Sequence, residues 1–235
     1  MTLAIVTGAT GGLGSACARA FAGTGARLVL VSRGGDALHA LAGELGATAL
    51  ACDLTDDDAV AAAFYGLPVP DVLVGCAGGN RPRPFLDITG DDLDWAWRVN
   101  VRASLAPAQA VARRMVAARR GGAIVTVTSQ MGHVGGLGRT AYCAAKHAVE
   151  GASRALALEL APHGIRVNTV APTFVETPMT RPFLADAAFR DDVLARIPLG
   201  RLGTPEEVAA AVLFAATSEL MTGASLRVDG GWTAQ

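Results

Sequence analysis

The constraint that most narrows the fold lies at the start of the chain. Leu3-Ala4-Ile5-Val6 is a short apolar run, β-branched at its end, and it passes directly into Thr7-Gly8-Ala9-Thr10-Gly11-Gly12-Leu13-Gly14. A continuous apolar run of this length suits a strand covered on both faces, as in a parallel sheet. The glycines let backbone approach a phosphate closely. A helix starting at Gly12–Gly14 and running to about Thr24 would present unpaired amides and a positive dipole end to it. The spacing Gly8-x-x-x-Gly12-x-Gly14 differs from the Gly-x-Gly-x-x-Gly of the common dinucleotide fingerprint, so a tight strand–helix turn is the simpler alternative.

The same unit repeats along the chain. Strand-like runs fall at Arg27–Val31, Ala47–Ala51, Asp71–Val74, Ala123–Thr128, Ile165–Val170 and Ser225–Val228. Helical stretches lie between them: Leu38–Leu45, a short one from Asp56, a long one from about Asp91 to Arg120, and one carrying Tyr142 to about Pro162. Thr204 and Pro205 read as the N-cap and first residue of a further helix. Alternation of this kind predicts one doubly wound α/β domain over residues 1–235: a seven-stranded parallel sheet in the order 3-2-1-4-5-6-7, with helices on both faces. Residues 176–199 change character, with prolines and alternating charges, and read as a substrate lid.

Ligands of such sheets bind outside the carboxyl ends of the strands, where strand order reverses. Ser32 and Arg33 end the second strand. An arginine there suits the 2′-phosphate of NADP, whereas an acidic residue would suit the ribose hydroxyl of NAD; a solvated arginine is the plain alternative. Asp53, followed by Leu54, either accepts from an adenine amino group or caps its own turn. A second glycine cluster, Gly75-Cys76-Ala77-Gly78-Gly79, follows the fourth strand. The loop Asn80-Arg81-Pro82-Arg83-Pro84 either overhangs the same edge or is a solvated connection. Arg113, Arg114, Arg119 and Arg120 suit a helix C-terminus, or else dock an acidic partner.

Chemistry concentrates between Ser129 and Lys146. Ser129 ends the fifth strand, and Tyr142 and Lys146, four apart on a helix, share a face. A free phenol has a pKa near ~10, and a neighbouring ammonium would favour phenolate, which makes an acid–base pair. The chance pairing of a surface tyrosine and lysine is the alternative.

Composition limits the other classes. The chain has 235 residues, 51% of them hydrophobic and 17% charged, with a formal net charge of −1. That balance argues against nucleic-acid or membrane-surface binding. Spare apolar surface points to self-association. Cys17, Cys52, Cys76 and Cys143 form no Cys-x-x-Cys pair, and the histidines lack ligand spacing, so no metal site is expected. A soluble, cytoplasmic protein is the expectation.

Taken together, Thr7-Gly8-x-x-x-Gly12-x-Gly14, Asp53, Ala77-Gly78, Asn100, Ser129, Tyr142-x-x-x-Lys146, Asn168, Pro172, Thr177, Gly200–Glu207 and Val228–Gly231 resemble the short-chain dehydrogenases/reductases over essentially the whole chain. Both 3-oxoacyl-carrier-protein reductases and sugar or polyol dehydrogenases share this pattern. The resemblance implies an oxidoreductase moving a hydride between a nicotinamide cofactor, NADP(H) more than NAD(H), and a carbonyl or secondary alcohol. Tyr142 would be the general acid/base, Ser129 would orient the substrate oxygen, and Lys146 would lower the tyrosine pKa and bind the ribose. Asn100 would hold a water linking Lys146 to solvent. Gly8, Thr10, Gly12, Leu13, Gly14, Ser32, Arg33, Asp53, Leu54, Ala77, Gly78, Pro172, Val175 and Thr177 would contact the cofactor. Gln130, His133, Thr173 and Phe174, with the 80–85 loop and residues 173–183, would line the substrate pocket. A homotetramer is implied, packing the helices after Asp91 and Tyr142. An NAD-dependent sugar or polyol dehydrogenase and a non-catalytic dinucleotide sensor are the alternatives.

The chain departs from the family pattern at Cys76, which replaces an asparagine that braces the central strands, and at Thr173, which follows Pro172 where glycine is usual. Gly11 stands where many NADP-preferring members carry a basic residue.

Overall fold

The computed structural model describes residues 2–234. Its sheet contains β1 (Leu3–Thr7), β2 (Arg27–Ser32), β3 (Thr48–Ala51), β4 (Val72–Gly75), β5 (Gly122–Val127), β6 (Ile165–Pro172) and β7 (Ser225–Val228). Every pairing is parallel and the order is β3-β2-β1-β4-β5-β6-β7, as the alternation predicts. Adjacent residues of one strand point to opposite faces. Val6 on β1 joins a cluster with Phe21, Val74, Val125 and Val212, while its neighbour Ile5 joins Phe64, Leu73, Val111, Met115 and Ile124. Both faces are therefore core, which is why all five residues of β1 are buried.

The first face is covered by α1 (Gly12–Gly23), α2 (Asp36–Leu45) and α9 (Pro205–Thr217). The second is covered by α3 (Asp57–Tyr65), α5 (Ala103–Ala117) and α6 (Thr140–Leu160). Asp56 caps α3 by accepting from the amides of Asp58 and Ala59. Thr204 and Glu207 form a reciprocal capping box at α9.

The long helix expected over 91–120 is not continuous. It runs as α4 (Gly90–Ala96), a π-helical turn over Trp97–Arg102, and then α5. A π turn frees backbone groups, and side chains satisfy them here: Asn100 Nδ2 donates to the Ala96 carbonyl (3.0 Å) and Ser104 Oγ to that of Asn100 (2.7 Å). Two of the four arginines further along are engaged within the chain. Arg114 donates to the carbonyls of Tyr65 and Leu67, and Arg120 pairs with Asp71 at 2.5 Å, so both clamp the connection into β4.

Between β6 and α9 lie α7 (Arg181–Leu184) and α8 (Ala187–Ala195). Leu184, Val193 and Ile197 are buried, which fixes this segment onto the body. Among the described residues no helix is long and apolar enough to cross a membrane.

Candidate active site

The glycine turn after β1 is built for close approach. Gly8 has φ +62°, a conformation that disfavours a side chain, and a Cβ there would lie 2.7 Å from the Ala77 amide nitrogen. A Cβ at Gly14 would strike the Gly8 carbonyl oxygen at 2.2 Å, and one at Gly12 would meet the Thr177 side chain at 2.8 Å. The turn thus packs against the ends of β4 and of the segment after β6. No side chain caps α1, and no acidic residue lies in its first turn. Its amides and dipole are left for an anion, and the cradle fits the pyrophosphate of a dinucleotide.

Along the same edge, Ser32 is buried and Arg33 exposed. Asp53 caps its own turn: one carboxylate oxygen accepts from the Thr55 amide (2.9 Å) and hydroxyl (2.8 Å). Those bonds, with Arg33 nearby, hold its carboxyl below the ordinary aspartate value. Leu54 is buried next to it. Val175 bridges to Gly203 in parallel register, and Thr180 closes the following turn, its hydroxyl accepting from the Thr177 amide at 2.9 Å and donating to the Val175 carbonyl at 2.5 Å. Thr177 is buried by this turn and by Gly12.

Ser129 follows β5 and opens a 3₁₀ turn over Gln130–Gly132. Its Oγ accepts from the Met131 amide (3.1 Å) and donates to Gln130 Oε1 (2.8 Å). Ser129, Gln130, Tyr142, Thr173 and Phe174 line one cavity, closed on the far side by Met179, Thr180 and Phe183. From the 80–85 loop only Asn80 reaches it. Arg81 instead stacks 4.0 Å from the Trp95 ring centroid and Arg83 pairs with Asp92 at 3.2 Å. The larger Thr173 side chain does face the cavity, with its hydroxyl buried and unpartnered.

His133 is a correction to the expected pocket. Its Nε2 lies 3.0 Å from Ser225 Oγ and 3.4 Å from Glu150 Oε1, behind the cavity wall. Glu150 sits two helical turns beyond Tyr142 and is buried, so its carboxylate gathers polar groups inside the sheet rather than at the site.

Lys146 is only 3% exposed. Its Nζ donates to the Val127 carbonyl at 3.3 Å and lies 5.6 Å from the Tyr142 ring centroid. Burial lowers its pKa to about 8, opposed by Cys76 and Glu150. Tyr142 departs from expectation. Its phenol is pushed up to about 12, because burial outweighs the Ser129 hydroxyl and the Arg139 cation, both of which pull it down. Lys146, in the chain alone, is not what sets it. A Cβ at Gly78 would lie 3.0 Å from Asn100 Oδ1 and 3.5 Å from Lys146 Nζ, so glycine lets the backbone pass between them. The Asn100 amide is occupied, accepting from the Gly79 amide (3.2 Å) and donating to its carbonyl (3.0 Å). It braces the loop beside Lys146.

Cys76 keeps the β4 end tied without the usual asparagine. Its amide donates to the Thr7 carbonyl at 3.2 Å, and its sulfur lies 3.9 Å from that of Cys17 on α1. Two cavity residues escaped the sequence reading: Met131, which follows Gln130, and Arg139, buried beside Tyr142. The available signal for the arginine was that the uncharged run from Gly121 to Gly138 ends on it, three residues before the tyrosine.

A family model described as enoyl-(acyl carrier protein) reductase matches residues 8–233. L-xylulose reductase from Bos taurus is 38% identical over 98% of this chain and 96% of its own length. D-erythrulose reductase from Gallus gallus is 40% identical over 97% of this chain and 94% of its own. A gluconate 5-dehydrogenase from Burkholderia cenocepacia, solved in complex with NADP and tartrate, superposes with a TM-score of 0.95 at 32% identity, covering 100% of this chain and 96% of that one. Sheet, glycine cradle and serine–tyrosine–lysine cluster together define a dinucleotide-dependent oxidoreductase. The chain belongs to the short-chain dehydrogenase/reductase family, matched over residues 8–233.

Proposed function

We propose that the protein interconverts a ketone and a secondary alcohol on a sugar- or polyol-like substrate, using NADP(H) in preference to NAD(H). The observation that carries this reading is the shared cavity of Ser129 and the Tyr142 phenol, with the Lys146 ammonium buried one turn beyond the tyrosine. The substrate class draws on relatives named for ketoses and on a neighbour named for a sugar acid. The preference for NADP(H) draws on Arg33 at the end of β2 and on the NADP in that neighbour.

Gly8, Thr10, Gly12, Leu13 and Gly14 hold the pyrophosphate, Ser32 and Arg33 the adenosine ribose phosphate, and Asp53 and Leu54 the adenine. Ala77, Gly78, Pro172, Val175 and Thr177 hold the nicotinamide half. The cofactor, when bound, supplies or accepts the hydride. The chain's own work is the proton. Ser129 Oγ holds the substrate oxygen, and Tyr142 gives that oxygen a proton in reduction and removes it in oxidation. Lys146 stabilises the phenolate left behind, while Asn100 keeps the Gly78–Gly79 backbone beside it. Residues 176–199, packed onto the body through Leu184, Val193 and Ile197, form the lid that covers the substrate.

Replacement of Tyr142 by phenylalanine should reduce turnover by on the order of 10³-fold while NADPH binding, followed by nicotinamide fluorescence, is retained. Turnover within tenfold of the parent would remove the reading.

Self-association belongs to the same proposal. An open groove of about 1010 Å³ runs along the outer side of α5 and α6, lined by Trp97, Leu105, Leu156 and Leu160 among others. A second copy covering it makes a dimer, two of which would form the tetramer we propose, and a monomer in light scattering would contradict both. The cytoplasm as the working compartment fits the unbonded sulfurs of Cys17 and Cys76, 3.9 Å apart.

A further inference from the structure

Arg139 stands at the N-cap of α6 and is 6% exposed. A buried guanidinium ordinarily has a carboxylate partner, because a lone desolvated charge is strongly unfavourable. Among the described residues Arg139 has none. The paired arginines, such as Arg19, Arg83, Arg102, Arg120 and Arg201, lie elsewhere, and no hydrogen bond leaves its side chain. Instead it lies over two aromatic rings, 5.2 Å from the centroid of Phe183 and 5.8 Å from that of Phe189. These rings stabilise a cation without neutralising it. The helix worsens the imbalance, since Arg139 sits at the positive end of the 21-residue α6. Burial pushes its pKa below the ordinary guanidinium value, yet arginine stays charged at neutral pH.

Two more polar groups in the same cavity lack a partner. Asn80 Oδ1 and Thr173 Oγ1 are both buried without one, and both residues line the cavity beside Ser129, Tyr142 and Arg139. The remaining buried, unpartnered side-chain atom among the described residues, Arg114 Nε, belongs to α5. An unpaired cation, an amide oxygen that can only accept and a hydroxyl are thus gathered around the reacting phenol. Their complement is a ligand bearing one anionic group and hydroxyl donors. A single guanidinium, with no second cation in the cavity lining, balances a monoanion better than a phosphate dianion, and its planar fork matches a carboxylate.

We propose that the cavity takes a polyhydroxy carboxylate. Its carboxylate sits on Arg139, and flanking hydroxyls bond to Asn80 Oδ1 and Thr173 Oγ1. Its secondary alcohol faces Ser129 and Tyr142. This rests on the oxidoreductase reading and gives it a substrate class. In the oxidation, the carbinol C–H bond breaks with hydride passing to NADP⁺ and the O–H proton passing to the Tyr142 phenolate, leaving a ketone and NADPH.

The test compares probes of equal chain length on protein saturated with NADP⁺. Calorimetry should show threonate binding at least about tenfold more tightly than threitol, which carries a hydroxymethyl group in place of the carboxylate. Arg139→Gln should weaken threonate by about 100-fold and threitol far less, with Arg139→Lys between the two. In kinetics, kcat/KM for D-gluconate should fall about 100-fold further than that for xylitol in Arg139→Gln, since the loss of the cation's pull on the Tyr142 phenol touches both substrates alike and cancels in the ratio.

Thermal stability separates this role from a structural one. Arg139→Met should melt no lower than the parent, because it removes an unpaired buried charge; a structural arginine would lower the midpoint on removal. Equal affinity of parent protein for threonate and threitol overturns the proposal, as does undiminished threonate binding in Arg139→Gln. Tighter binding of glycerol 3-phosphate than of threonate overturns the carboxylate assignment. If Tyr142→Phe stays active while threonate still depends on Arg139, the catalytic reading fails and the anion site stands. The reverse pattern fails this inference alone.

Discussion

Lys146 Nζ lies 5.6 Å from the centroid of the Tyr142 ring, yet burial sets the protonation of both groups in the chain alone. The phenol, pushed up to about 12, stays protonated at neutral pH, and the lysine, lowered to about 8, stays mostly charged. A protonated phenol beside an ammonium is ready to give a proton, so carbonyl reduction should run well at neutral pH. Its kcat/KM should stay flat from about pH 6 and fall as Lys146 loses its proton near pH 8. Oxidation needs the phenolate, so its kcat/KM should climb with pH instead. Initial rates in both directions across pH 6 to ~10 check this; reduction fastest at alkaline pH would refute it.

The same lysine should trade stability for function. Its folded pKa is lowered from 10.5 to about 8, so burying the charged form destabilises the fold. That penalty is fully present below pH 8. It disappears as pH rises through the window from about 8 to 10.5, where the unfolded chain binds the extra proton. The displacement corresponds to at most about 3 kcal/mol, less whatever the bond to Val127 returns. Lys146→Met should therefore be inactive yet more stable than the parent at pH 7, with the advantage shrinking above pH 8. Denaturant titrations at pH 7 and about pH 9.5 read both halves of that statement.

Glu150 holds the opposite kind of position. Its carboxylate, 2% exposed, accepts from Thr128 Oγ1 at 2.5 Å, Thr169 Oγ1 at 2.9 Å and Ser225 Oγ at 3.1 Å, tying α6 to the strand ends around β5, β6 and β7. Glu150→Ala leaves the buried Thr169 hydroxyl without its acceptor, Thr128 with only the Val170 carbonyl and half-buried Ser225 with only His133, and should destabilise by about 3 kcal/mol. A melting point lower by roughly 10 °C is the expected reading for a chain of this size. His133 touches the same carboxylate and not the cavity, so His133→Ala should leave substrate KM within about twofold of the parent. A large KM effect would return that histidine to the pocket.

Local pattern made the sheet legible. Leu3–Val6, Arg27–Val31 and the later strand runs announce themselves because both faces of a parallel strand are apolar, and each sits between turn residues. Spacing set Tyr142 and Lys146 on one helix face and a strand end held Ser129, but only the joint order of motifs along the whole chain raised them above a chance pairing. What escaped depends on contacts distant in sequence. The π turn at Asn100 preserves helical character on both sides, so a periodic reading runs straight through it. The extension of β6 to Pro172 follows from pairing Ala171 and Pro172 with Arg227 and Val228, far along the chain. The phenol pKa was misjudged because spacing reports a neighbouring charge and says nothing of burial. Arg139 went unnoticed because only the folded chain brings Phe183 and Phe189 over it.

Cofactor choice turns on two residues at the end of β2. Ser32 is buried, its Oγ accepting from the Gly34 amide at 3.4 Å, while Arg33 is exposed and close enough to Asp53 to help hold its carboxyl ionised. An exposed guanidinium adds a charge-assisted contact to a ribose 2′-phosphate and nothing comparable to a bare hydroxyl. Arg33→Ala should therefore weaken NADPH by about tenfold and leave NADH nearly unchanged. Ser32→Asp adds the acceptor that favours a 2′-hydroxyl and a charge that repels the phosphate, so it should invert the preference. Fluorescence titrations of the parent and both variants with each dinucleotide decide the matter. Parent protein binding NADH more tightly than NADPH would overturn the NADP(H) preference, and Gly11, where a basic residue could have reinforced Arg33, would then be its sequence correlate.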